Sequence, residues 1–376
     1  MKSHKQITSD ASWSSCAQRV VIFVDDYLDF DGRYSIGGRQ RFTRDLALLI
    51  RAWGREVVIV QKARKGFELE CPAGISVIGL PAALRVRGDL LFWKKAQVVA
   101  RPGDVFLYAS GDEVWPFFLP NAKAIQHGIS WDGDQKAWFR SLQGFRALGM
   151  ARKVRSILCV DTNYINWLRC QGNEGYRLTS KCEYIPNYAD LQHVPISEKS
   201  SEEPMAIISA RRNSEFRGLD LFIEALGMLQ AQSINFTAHI STNQGHDDLQ
   251  ARARELGFAD RLTTSMDSMD EVLARYRDFD VAVIPTRWSE GTSLACVEAL
   301  TAGLAVVTTP VGGLANLVIP GFNGYVVPPV AERIAESLAE LDSTSKRQQM
   351  RVNALSMRPA LGIDAWQASV QKWLEA

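Results

Sequence analysis

The sequence predicts an α/β protein made of two parallel-sheet domains that face each other across a cleft. Three features carry that expectation. Short runs rich in Val and Ile, with no polar alternation, recur along the chain and read as strands buried on both faces. Many are followed by a loop and a helical segment closed by glycine, the order of a strand and its crossover. A chain of 376 residues is long for one hydrophobic core, and residues 197–204 (SEKSSEEP) have linker composition.

Residues 1–18 form a polar tail without the apolar stretch of a signal peptide. The first domain, residues 19–196, opens with a strand at 19–24 that ends in Asp25 and Asp26. Ser35-Ile36-Gly37-Gly38 then leads into a helix in which Phe42, Leu46, Leu49 and Trp53 share a face before Gly54 closes it. Gly37 and Gly38 thus stand at a helix N-terminus beside a strand end, where unpaired amides favour phosphate. Further strands are expected at 56–60, 75–78, 105–108, 122–126 and 156–160, the fourth running into His127 and the fifth into Asp161.

The second domain, residues 205–360, starts with a strand at 205–209 and a loop that carries Arg212 and Arg217 into a helix. Two cations five residues apart across such a loop can clamp a diphosphate. A strand is expected at 236–240. Residues 361–376 make a last helix with an apolar stripe of Trp366, Val370, Trp373 and Leu374.

Residues 281–329 are the most informative. A buried strand at 281–284 is stopped by Pro285, and a loop through Glu290, Gly291, Thr292 and Ser293 enters a helix from Leu294 that ends at Gly303. Helical side chains lean toward the N-terminus, so Glu298 reaches back toward Glu290. The amides of Gly291 to Leu294 favour a phosphate, and the carboxylates favour sugar or ribose hydroxyls; a ligand with both is a nucleotide sugar. A second unit follows, with a strand at 305–308, the tight turn of Gly312 and Gly313, which would let backbone approach the same phosphates, a short helix, and an Asn323-Gly324 turn.

This stretch resembles the donor-binding region of retaining GT-B glycosyltransferases of family 4. There two glutamates eight apart frame a Gly-containing loop, followed by a Gly-Gly turn and an Asn-Gly turn. The resemblance implies the GT-B fold of two Rossmann-like domains, with the last helix returning to the first domain. It implies that Glu298 binds ribose, Glu290 the donor sugar, and Arg212 and Arg217 the departing diphosphate. It gives His127 a contact with the donor sugar and Gly37-Gly38 one with the diphosphate or the acceptor. Arg217 stands where the family usually has lysine, a planar fork for a point charge. The segments at 241–245 and 263–267 lack the expected glycines, so the base is left open.

The function implied is transfer from a nucleoside-diphosphate sugar to a glycan, glycolipid or other hydroxyl acceptor in cell-surface polysaccharide or lipopolysaccharide synthesis. A nucleotide-sugar epimerase or hydrolase of the same fold is the alternative within enzymology. A non-catalytic nucleotide-sugar-binding protein is the alternative outside it. No cofactor or metal is expected: three DxD triplets, from Asp29, Asp132 and Asp278, arise in an ordinary composition, and the arginines supply cations.

The net charge of +1 divides into +8 for residues 1–195 and −7 for the rest, so the first domain is the half suited to an anionic acceptor or surface. No nucleic-acid partner is expected. Two basic segments with aromatics, residues 84–95 and 136–155, admit two readings, a solvated face over a packed core or a contact with an anionic bilayer. Cys16, Cys71, Cys159, Cys170, Cys182 and Cys296 show no metal spacing and read as reduced, mostly buried thiols of a cytosolic protein, peripheral at most to the inner membrane face.

Overall fold

The computed structural model describes residues 19–33, 37–82, 86–110, 119, 121–197 and 204–376. The polar tail, Ser35 and Ile36, and residues 198–203 of the expected linker lie outside them.

Every residue of β1 (Val20–Val24) is buried, which requires cover on both faces of its sheet. The other strands of that sheet are β2 (Val57–Ala63), β3 (Phe67–Cys71), β4 (Ile75–Pro81), β5 (Val105–Tyr108), β6 (Lys123–Gln126), β7 (Ile157–Cys159) and β8 (Cys182–Tyr184). They lie in the order β3-β4-β2-β1-β5-β6-β7-β8, parallel except for β3 against β4. The second sheet holds β9 (Met205–Ala210), β10 (Phe236–Ser241), β11 (Leu262–Ser265), β12 (Val281–Ile284), β13 (Ala305–Thr308) and β14 (Gly324–Val326). Its order is β11-β10-β9-β12-β13-β14, parallel throughout. This is the two-domain GT-B architecture.

In both sheets the order reverses beside the first strand: β1 lies between β2 and β5, and β9 between β10 and β12. Loops leaving such neighbours diverge to opposite faces and open a crevice at the strands' carboxyl ends. The two crevices meet.

Three strands differ from the sequence expectation. β3 is an edge strand whose pattern of exposed and half-buried residues reflects one covered face, and β8 and β11 are three and four residues long with polar members. Asn323-Gly324 also works differently. The buried Asn323 side chain accepts from the Ile319 amide (2.8 Å) and donates to the Leu317 carbonyl (3.0 Å), so it shapes the bend itself. Gly324 is the first residue of β14, and a Cβ there would stand 1.9 Å from the Val306 carbonyl oxygen.

The last helix, Ile363–Glu375, packs on the first sheet. Trp366 lies 4.1 Å from the Tyr188 ring and 5.3 Å from Phe42, centroid to centroid. The ammonium of Lys123, buried on β6, donates to the carbonyls of Trp373 and Leu374, the latter at 3.0 Å, and so places a cation at the helix's negative end. No helix among the described residues is long and apolar enough to cross a membrane. Of the five cysteines described, only Cys159 and Cys296 are fully buried and Cys170 is exposed, fewer buried thiols than the sequence suggested.

Candidate functional site

A cavity of about 620 Å³ lies where the two crevices meet. Loops after β1, β5 and β6 form one wall; loops after β9 and β12 form the other. Its size suits a nucleotide-sized ligand.

Glu290 stands on the second wall with 7% of its surface exposed. Its Oε2 accepts from Arg211 and Arg217, and from the Thr286 hydroxyl at 3.2 Å. Arg211 donates also to Thr286 (2.8 Å) and Ser293 (2.9 Å), so one guanidinium ties the strand end, the loop and the start of the helix Leu294–Ala302 together. Among the described residues the bonds of this carboxylate all fall on Oε2, which leaves Oε1 to accept from a ligand hydroxyl. Burial and the neighbouring Arg211 push the Arg217 pKa down to about 10, so it keeps its charge at neutral pH.

Arg211 was missed in the sequence. The Arg211 amide continues the ladder to the Ser241 carbonyl, so side chains past β9 still alternate. Ser209 and Arg211 point inward and Arg212 is exposed, lining the cavity beside Gly37. Extending the expected strand at 205–209 by two residues finds it.

The loop from Ser289 to Ser293 is seated between the sheets. The Ser289 amide donates to Asp132 (2.9 Å), the Thr292 hydroxyl to the Val160 carbonyl, and the Asn187 amide to the Thr292 carbonyl (2.6 Å). Gly291 is required sterically, because a Cβ would lie 2.4 Å from the His127 carbonyl oxygen. Gly291, Thr292, Ser293 and Leu294 all line the cavity.

Gly312 and Gly313 do not line it. A Cβ on Gly312 would stand 1.7 Å from the Glu290 carbonyl oxygen, and one on Gly313 2.8 Å from that of Gly291. In place of the expected phosphate approach, these glycines let the turn lie directly against the Glu290 loop from outside the cavity.

Gly37 and Gly38 do line it, at the start of the helix Gly38–Ala52. His127 lines it too, and its Nε2–H donates to the Ala109 carbonyl at 2.9 Å, which leaves Nδ1 as an acceptor. Burial, aided by the Arg39 charge, holds the His127 pKa down at about 3, so the ring is neutral. Behind Gly128, Asp161 accepts the amides of Asn163 (2.9 Å) and Tyr164 (3.4 Å) on one oxygen while the other has no partner among the described residues. Burial first, with smaller contributions from Asp132 and Glu290, raises its pKa to about 6.

Glu298 is buried and lies outside the cavity lining. Its Oε1 accepts from Arg41 of the first domain at 2.8 Å, and burial raises its pKa despite that cation. One carboxylate of each DxD triplet accepts backbone amides: Asp29 those of Asp31 and Arg33 in its own turn, Asp132 that of Ser289 across the sheets, and Asp280 that of Ala206.

Residues 192–357 match the family model described as glycosyl transferases group 1. The putative colanic acid biosynthesis glycosyltransferase WcaL of Salmonella typhimurium is 32% identical over 155 residues, 38% of this chain and 37% of that protein. The chain matches less than half the length of that relative and of its Escherichia coli counterpart, of which it covers 39%. Sucrose-phosphate synthase from Thermosynechococcus elongatus superposes with a TM-score of 0.75 at 18% identity, over 94% of this chain and 98% of that one. Anabaena HepE in complex with UDP gives 0.70 at 15% identity, over 95% and 99%. These likenesses show the fold, and residues 192–357, a little under half of the chain, carry the match to the group 1 glycosyl transferases.

Proposed function

We propose that the protein is a retaining glycosyltransferase that moves a sugar from a nucleoside-diphosphate donor to a hydroxyl acceptor held against its basic first domain. The acceptor would be a glycan or lipid-linked saccharide of a cell-surface polysaccharide or lipopolysaccharide, a reading supported by the WcaL likeness. The observation that carries it is Glu290, fixed through one oxygen by two arginines and lining one cavity together with Gly291 to Leu294 at the helix start.

In this reading Glu290 holds the donor-sugar hydroxyls and Glu298 the ribose. Arg212 and Arg217 take up the charge that grows on the departing diphosphate, and neutral His127 accepts from a sugar hydroxyl. The C1–diphosphate bond breaks as the acceptor oxygen bonds to C1 on the same face, and the acceptor proton passes to the leaving phosphate oxygen. The arginines carry the cation role, so transfer is expected to persist in EDTA.

A thermal-shift panel of UDP-, GDP- and dTDP-sugars tests the donor site: one sugar nucleotide should raise Tm selectively, and no shift at millimolar concentration with any of them overturns the reading. Product analysis with and without acceptor separates transfer from epimerisation, hydrolysis or mere binding. Membrane contact is proposed through the basic helix Ala137–Lys153, where Trp138, Leu142 and Phe145 share an exposed face. Flotation with anionic liposomes tests it; full recovery of protein in the soluble fraction removes it.

A further inference from the structure

We propose that Arg41 is a gating residue that occupies Glu298 in the free protein and moves to Asp45 when a ribose docks. This rests on the reading of Glu298 given above and adds what must happen first. Arg41 belongs to the helix Gly38–Ala52 of the first domain and Glu298 to the helix Leu294–Ala302 of the second. Both helices begin at the cavity, and they touch there: a Cβ on Gly38 would be in contact with Leu294 at 3.4 Å. The Arg41–Glu298 pair lies one turn deeper, with side chains only 9% and 8% exposed, and among the described residues it is the carboxylate's polar contact.

The pair is built to be exchanged. Arg41 grips Glu298 through one nitrogen at 2.8 Å, and its buried Nε has no hydrogen-bond partner. A monodentate contact with an unsatisfied donor is a weak form of buried ion pair. A second acceptor is in reach, because Asp45 stands one helical turn along with its Oδ2 3.9 Å from that same Nε. Asp45 is fixed by Tyr188, whose hydroxyl donates to Oδ2 at 2.6 Å, and by Arg44 at 2.8 Å. Ribose hydroxyls can therefore take over Glu298 without leaving the guanidinium stranded.

A ligand that must displace an internal partner binds with an affinity reduced by the fraction of protein in which that partner is absent. Titration calorimetry of the full chain with UDP-glucose, GDP-mannose and dTDP-glucose, taking forward whichever binds, provides the test. Arg41→Met should bind that sugar nucleotide about tenfold tighter, as when roughly nine-tenths of the free protein is latched. Asp45→Asn, which weakens the resting place, should bind it several-fold more weakly and have no effect in the Arg41→Met background. Unchanged or weaker binding by Arg41→Met overturns the gate, as does unchanged binding by Asp45→Asn, which decides the matter if Arg41→Met does not fold. Glu298→Gln isolates the underlying reading: if it binds the donor as wild type does, the ribose role fails and the gate with it.

Discussion

The two walls of the cavity are built on different principles. The wall from the second sheet is a ring of charges that satisfy one another, Glu290 on Arg211 and Arg217 with Thr286 and Ser293 closing it. The wall from the first sheet combines bare backbone at Gly37, Gly38 and Gly128 with a histidine that burial keeps neutral and a local cluster in which Arg39 and Gln40 hold Asp26. A ring of charges needs particular side chains at fixed spacing, so it leaves a pattern in the chain. Stretches of bare backbone need only room, so they leave a weaker pattern.

The largest expected effect falls on the charged wall. Glu290→Ala and Arg217→Ala should each lower kcat by more than a hundredfold, a loss of about 3 kcal/mol of transition-state stabilisation, while His127→Gln lowers it far less. Steady-state kinetics of the three variants decide. Equal losses at His127 and Glu290 would erase the contrast between the walls. Arg211→Met should follow in stability rather than rate: it leaves the buried Glu290 one cation short, and unfolding in urea should show a loss of about 3 kcal/mol.

Burial acts on titratable groups of both kinds, with opposite sign. His127 stays neutral down to about 3 when folded against an ordinary 6.5, so stability is lost as pH falls through that interval. Asp161 keeps its proton up to about 6 when folded against an ordinary 3.8, so stability is lost as pH rises from there toward 6. Between pH 4 and 6 the two contributions offset each other. Relative to wild type, His127→Gln should become less stable as pH rises across that window and Asp161→Asn more stable, each by about 2 kcal/mol. Urea midpoints at pH 4, 5 and 6 measure it, and parallel curves for all three proteins would show that neither group is buried as described.

What the sequence made legible follows the same division. The run at β12 is apolar throughout, that at β13 is apolar up to its final Thr308, and Pro285, Gly303 and Pro310 bound them, so both strands and the Glu290 loop between them can be placed. The strand expected at 56–60 runs on to Ala63 through Gln61 and Lys62, polar residues that resemble a strand's end. They are buried: Gln61 accepts the amides of Tyr27 and Leu28, and Lys62 lies between Asp25 and Asp89, partners distant in sequence. The fixing of Glu290 by Arg211 and the holding of Glu298 by Arg41 were invisible for the same reason. Local spacing reports which groups a loop carries, and only the packed domains decide which of them meet.

The glycines supply the smallest effect and the sharpest version of the contrast. Gly312 has φ +52°, and its missing Cβ would occupy the space of the Glu290 carbonyl, so Gly312→Ala must move the charged loop and should cost about 2 kcal/mol of stability. Gly38 has no positive φ, sits in the first turn of a helix where alanine is favoured, and would meet Leu294 only at ordinary contact distance. Gly38→Ala should therefore change stability by less than about 1 kcal/mol. If the first wall serves by offering bare backbone to the ligand, the same methyl group should nonetheless weaken binding of the sugar nucleotide, measured by titration against wild type. A variant as stable as wild type and equally tight would mean that the ligand never approaches Gly38, and the backbone wall would be packing alone.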